Sequence, residues 1–226
     1  MKRIFGVLVF PFLLIGCGNE EVANVLEGSN TPYESNVSTE QYESQQVAND
    51  FGSAFEQAIS GQLLFKEDQS TAYFTGTGNE YASYSETTYW ISYEYVQVIT
   101  DNGGTTVHEY YKIEEDAIYL LATQTEDQLE DLSLDILKTI APIELYLKLP
   151  LTVGTSFNGW NVEDRQFLST AYEQFDDAFI LTKDTPSDMT TLYIAPGFGV
   201  VKRVVVLKDT SETTITSELS SIQYNN

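Results

Sequence analysis

Thr87-Thr88-Tyr89-Trp90-Ile91-Ser92-Tyr93-Glu94-Tyr95-Val96-Gln97-Val98-Ile99-Thr100-Asp101-Asn102-Gly103-Gly104-Thr105-Thr106-Val107-His108-Glu109-Tyr110-Tyr111-Lys112-Ile113 decides the fold class. It is rich in β-branched and aromatic residues, which suit a pleated, half-buried surface. Tyr89, Ile91, Tyr93, Tyr95 and Ile99 alternate on one face, with Trp90, Val96 and Val98 on the other. Such period-two patterning predicts a strand over 87–99. Asp101-Asn102-Gly103-Gly104 then reads as a hairpin turn, because Asn and Gly accept positive φ. Thr105 to Ile113 returns as the partner strand.

Working outward, Glu114-Glu115-Asp116 makes the next turn and Ala117 to Thr123 a third strand, giving a β-meander. Residues 126–149 support two readings. Leu129, Leu132, Ile136 and Ile140 fit a helix, whereas Leu132, Leu134 and Ile136 fit a strand; Pro142 and Pro150 break either. Further strands are expected near 160–170, 176–183, 190–195, 200–208 and 212–222. The total is about eight to ten antiparallel strands, a mainly β fold built as a curved sheet or half-barrel. Upstream, Val47, Phe51, Ala54, Phe55, Ala58 and Ile59 lie on one helical face, with Asn49 or Asp50 as cap and Gly61 as terminator. This predicts a short N-terminal helix opening a single domain over 46–226.

Residues 18–45 are polar and aperiodic, and residues 17–45 read as a flexible tether with Cys17 at its head. Before them stands an export pattern over 1–16. Lys2 and Arg3 are basic, and Ile4 to Ile15 is an uncharged apolar run. That run is too short to span a bilayer, which takes about 20 apolar residues. Leu14-Ile15-Gly16-Cys17 resembles the lipobox of bacterial lipoproteins, and Cys17 is the only cysteine in the chain. The resemblance implies a thioether-linked diacylglycerol on Cys17, cleavage before it, and acylation of its new amine. The chain's partner would then be the membrane, through that lipid. Gly18 stands where an aspartate would resemble an inner-membrane retention signal. In a host with two membranes, the outer membrane facing the periplasm is therefore favoured.

The formal net charge is −23, from 34 acids against 11 bases. Such a surface repels nucleic acid, and no partner of that class is expected. With Cys17 committed, a disulfide framework, a thiol nucleophile and Cys-type zinc sites are excluded together. His108 is the single histidine and falls inside a strand. There is no Gly-x-Ser-x-Gly elbow around which it could form a triad. Glu126, Asp127, Glu130, Asp131 and Asp135 are the richest oxygen cluster, but lack the spacing and glycine of a calcium loop. Pairs such as Asp176-Asp177 carry no glycosidase signal among so many acids. No catalytic residue, cofactor or metal site is assigned, and an enzyme is not expected.

Two segments carry a family resemblance. Leu149-Pro150-Leu151-Thr152-Val153-Gly154-Thr155-Ser156-Phe157 precedes Trp160, and Tyr193-Ile194-Ala195-Pro196-Gly197-Phe198-Gly199-Val200-Val201-Lys202 follows. The pairing resembles uncharacterised bacterial envelope lipoproteins, except that a tryptophan usually stands where Phe157 is. The resemblance implies a half-barrel similar to lipoprotein-carrier folds, and no activity. Physically, Pro196-Gly197 suits the centre of a type II turn, and Gly199 a close re-entry into a strand. The functional expectation is a membrane-anchored, non-enzymatic binding or interaction module, acting on a protein or a small apolar ligand. The alternative is a lipid or lipoprotein carrier with an apolar cavity.

Overall fold

The computed structural model describes residues 61–130, 132–208 and 213–225. The export segment, Cys17, the tether and the expected helix over 47–59 lie outside the described residues.

Among the described residues, twelve strands form one antiparallel sheet. They are β1 (Ser70–Thr77), β2 (Tyr84–Ser92), β3 (Tyr95–Asp101), β4 (Thr106–Ile113), β5 (Ala117–Thr125) and β6 (Glu144–Lys148), then β7 (Ser156–Phe157), β8 (Trp160–Ser169), β9 (Gln174–Asp184), β10 (Asp188–Ala195), β11 (Gly199–Leu207) and β12 (Thr214–Tyr224). Strands adjacent in sequence pair with each other, except β6 and β7, and β1 pairs with β12. The two free edges are thus β6 and β7. They approach each other, and Asn158 Nδ2 bridges them by donating to Glu144 Oε1 at 2.6 Å and to Leu145 O at 3.2 Å. The sheet is a barrel closed except for that seam.

The expected mainly β, antiparallel fold is what forms, with more strands than expected. One reason lies in the stretch that opened the reading. Residues 87–99 are not one strand: the chain reverses at Tyr93-Glu94, between β2 and β3. The face assignment survives the reversal, because Trp90 pairs with Val96 and Thr88 with Val98. Period-two alternation cannot see a turn tight enough to preserve parity. The ambiguous region resolves into one helical turn, Leu134–Leu137, followed by β6. Leu137 packs that turn on the outside of the sheet with Tyr95, Tyr110 and Leu121.

The main core fills one end of the lumen. Val96, Ile118, Leu147, Val162, Phe179, Leu181 and Ile194 are each at most 2% exposed there. Residues 61–66 thread into the same space. Gly61–Leu64 makes a 3₁₀ turn, Leu64 and Phe65 join the core, and Lys66 is only 3% exposed. Trp90 Nε1 fixes this plug by donating to Lys66 O at 2.9 Å.

The Pro196-Gly197 turn is seated on the plug. Phe198 N donates to Ala195 O at 3.1 Å, and Gly197 has φ of 85°, as a type II turn requires. Gly197 N in turn donates to Leu63 O at 2.6 Å. A Cβ on Gly197 would meet nothing within 4 Å, so only backbone strain opposes substitution. Gly197→Val should cost about 1–3 kcal/mol, and Gly197→Asn much less, because Asn tolerates this region. Thermal unfolding of both variants checks this; equal losses would remove the backbone explanation.

Candidate functional site: a charged cavity in the lumen

At the other end the lumen is open, and a cavity of about 360 Å³ lies above the packed core. The residues that build it come from alternating positions on nearly every strand. Tyr84 and Glu86 come from β2, Val98 and Thr100 from β3, Glu109 and Tyr111 from β4. Glu144 and Tyr146 reach it from β6, Trp160 from β8, Lys183 from β9, Thr190 and Leu192 from β10, and Arg203 from β11. Strand register explains the grouping: Glu86 lies opposite Thr100, Val98 opposite Glu109, and Lys183 opposite both Trp160 and Thr190.

Arg203 belongs to this set because β11 carries an irregularity. Ile194 pairs with Val200 but Tyr193 pairs with Lys202, which leaves Val201 as an extra residue. The bulge resets the alternation. Val200 and Arg203 both face the cavity, while Lys202 points away and binds Glu218 at 2.8 Å.

The floor is polar. Lys66 Nζ lies 2.5 Å from Glu86 Oε1 and donates to Val200 O at 3.3 Å. Tyr111 donates its hydroxyl to Glu109 Oε2 at 3.0 Å. Burial pushes the Glu109 carboxyl above the usual glutamate range; the Tyr111 bond and Arg203 oppose that, and Glu86 and Glu144 add to it. Burial likewise raises the hydroxyls of Tyr84, Tyr111 and Tyr146, so all three remain protonated donors at neutral pH. The cavity therefore offers hydroxyl donors, one carboxyl biased toward its neutral form, and cations. Arg203 sits over the Tyr84 ring at 5.5 Å, and Lys183 over the Trp160 ring at 5.6 Å.

The residues singled out from sequence lie elsewhere. His108 points outward from β4, with Nδ1 3.1 Å from Gln97 Nε2. Asp177 is engaged by Arg165 through both carboxylate oxygens. Thr125 donates its hydroxyl to Asp127, Asp131 lies outside the described residues, and among the described residues no three His, Cys, Asp or Glu side chains are grouped as metal ligands. Among the described residues no helix is long and apolar enough to cross a membrane. Of the turn residues, Gly199 touches the cavity wall, and Pro196 and Gly197 do not line it.

Sequence reasoning missed Lys66, Glu86, Glu109 and Lys183 as a set. One signal was present: Glu86 and Glu109 share their strand faces with Thr88 and Tyr111, inward positions where a charge stands out. Asn158-Gly159, at φ of 47° and 81°, was a second missed signal. It is the Asn-Gly pair of a tight hairpin, and it positions the bridge across the seam.

The comparisons with known proteins come to this. No protein-family description and no curated protein matches the sequence. Among solved structures, the chain is similar to a protein of Bacteroides fragilis named as exported and as having a YmcC-like fold, at 10% identity, TM-score 0.41, covering 71% of this chain and 98% of that one. It is also similar to a protein of Parabacteroides distasonis named as a lipoprotein, at 8% identity, TM-score 0.42, covering 72% and 99%. Overlap at this level leaves the function to be argued from this chain's own residues.

Proposed function

We propose that this chain is a membrane-anchored bacterial lipoprotein whose barrel is a non-enzymatic binding module, taking a small polar ligand in its open lumen. The observation that carries the reading is the cavity itself: an open space of about 360 Å³ whose wall mixes aromatic faces, hydroxyls and charges. Small-molecule sites are concave and orient ligands with a few convergent polar groups.

The carrier alternative has less support. An acyl chain needs an apolar slot, and the apolar end of this lumen is already filled by Leu147, Leu181, Phe179 and Ile194. The open end holds glutamates, two lysines and an arginine, which an acyl chain would desolvate without pairing.

The anchor rests on Cys17 and the segment before it. Intact mass of membrane-extracted protein should show acyl additions on a chain beginning at Cys17, and Cys17→Ser should be released or left unprocessed. Mature wild-type protein with a free thiol would remove the anchor. For the lumen, Thr100→Trp places an indole in the cavity from its wall. Native mass spectrometry of the full chain taken from its host should show a small ligand on the wild type and not on the variant. Wild-type protein that is always bare, or an adduct that persists on Thr100→Trp, would overturn the reading.

A further inference from the structure

We infer that the mouth of the lumen is an anion site, where Arg203 and Lys183 attract the carboxylate or phosphate of a small ligand. This rests on the reading of the lumen as a binding cavity and names the chemistry of its occupant.

The described bases are used unevenly. In a chain with 34 acids, nearly every cation should find a carboxylate. Lys66, Lys112, Lys138, Arg165, Lys202 and Lys208 each do. Lys148, Lys183 and Arg203 have no such pair among the described residues, and of these only Arg203 and Lys183 line the cavity, which also contains glutamates. Each of these two is instead held against an aromatic face, Arg203 on Tyr84 and Lys183 on Trp160. Stacking of this kind fixes a cation's position while leaving its hydrogen-bond donors free.

The nearby acids are committed elsewhere. Glu86 is neutralised by buried Lys66. Glu109 accepts from Tyr111, and burial biases it toward the neutral form. Glu144 accepts from Asn158 at the seam. What lines the cavity without a carboxylate in ion-pair contact is a guanidinium and an ammonium, each beside an aromatic wall. An anionic oxygen group suits the two cations, and a planar or apolar body fits against Tyr84, Trp160 and Leu192.

The test uses the full chain labelled with 5-fluorotryptophan. The sequence has two tryptophans, so two fluorine resonances are expected, and Trp160→Phe assigns them. Benzoate, phenyl phosphate, benzyl alcohol and benzylammonium are titrated against the Trp160 signal. Benzoate or phenyl phosphate should shift it saturably, with affinity about tenfold above benzyl alcohol, the usual worth of a charge-assisted hydrogen bond. Which of the two binds tighter separates a carboxylate from a phosphate source. Arg203→Gln with Lys183→Gln should abolish the preference of the anions over benzyl alcohol. An equal or stronger response to benzylammonium, or a preference that survives the double variant, overturns the anion site while the binding cavity stands. If no solute shifts Trp160, the cavity reading falls with it.

Discussion

Gly199→Ala is expected to lower the melting temperature by on the order of 10 °C, the effect of about 2–4 kcal/mol in a domain of this size. Two causes add. Gly199 has φ of 66°, where an L side chain is strained. A Cβ there would also stand 2.6 Å from Leu64 O and 3.2 Å from Leu64 C. The obstacle is backbone, and it cannot retreat easily. Leu64 and Phe65 are packed in the core, and the neighbouring Leu63 carbonyl is bound by Gly197 N. Gly197→Ala is the control, because it shares the backbone region but has open space around it. It should cost about 1 kcal/mol. If the two alanine variants melt together, the close approach of β11 to the plug carries no energetic weight.

Lys66→Met should destabilise by about 3–5 kcal/mol, the usual consequence of removing one partner of a buried ion pair. Lys66 is 3% exposed and its partner side chain, Glu86, 18%. Methionine would leave the Glu86 carboxylate without its cation in a low-dielectric site, and remove the hydrogen bond to Val200 O. The double variant Lys66→Met with Glu86→Met should recover most of the loss, since two apolar side chains of similar bulk replace the pair without an orphaned charge. Urea unfolding of wild type, both single variants and the double variant closes the cycle. Purely additive losses would show that the pair does not act as a unit.

These two sites also show how much the sequence disclosed. Strand-forming composition, alternation and the Asp101–Gly104 turn were sufficient for an antiparallel β fold, and the strands from 160 onward were placed within a few residues of their bounds. Turn chemistry was legible at Pro196-Gly197, because proline and glycine each admit few conformations. The cavity was not legible, for two physical reasons. Inward parity had to be counted across bulges at Val201 and near Tyr111, and each extra residue inverts the pattern beyond it. The plug that forms the floor begins where Gly61 was read only as a helix terminator. Lys66 sits in no periodic run, so nothing local marks it as buried. Its environment is supplied by β2 and β11, which lie far away in the chain.

The seam between β6 and β7 has a consequence for how the chain acquires its shape. Every pairing except one joins strands adjacent in sequence, and that exception, β1 with β12, joins the first strand to the last. Each half of the molecule is therefore a six-strand meander joined by short turns of small closure entropy, except between β5 and β6, where residues 126–143 intervene. Only the β1–β12 contact must close a loop nearly as long as the domain. Local contacts of this kind speed folding, and long-range ones slow it. The two halves can thus organise separately, with the docking of the terminal strands as the step that commits them. Because the seam lies midway along the chain, a nick between Leu151 and Thr155 would cut no strand and would leave two fragments still held together along β1 and β12.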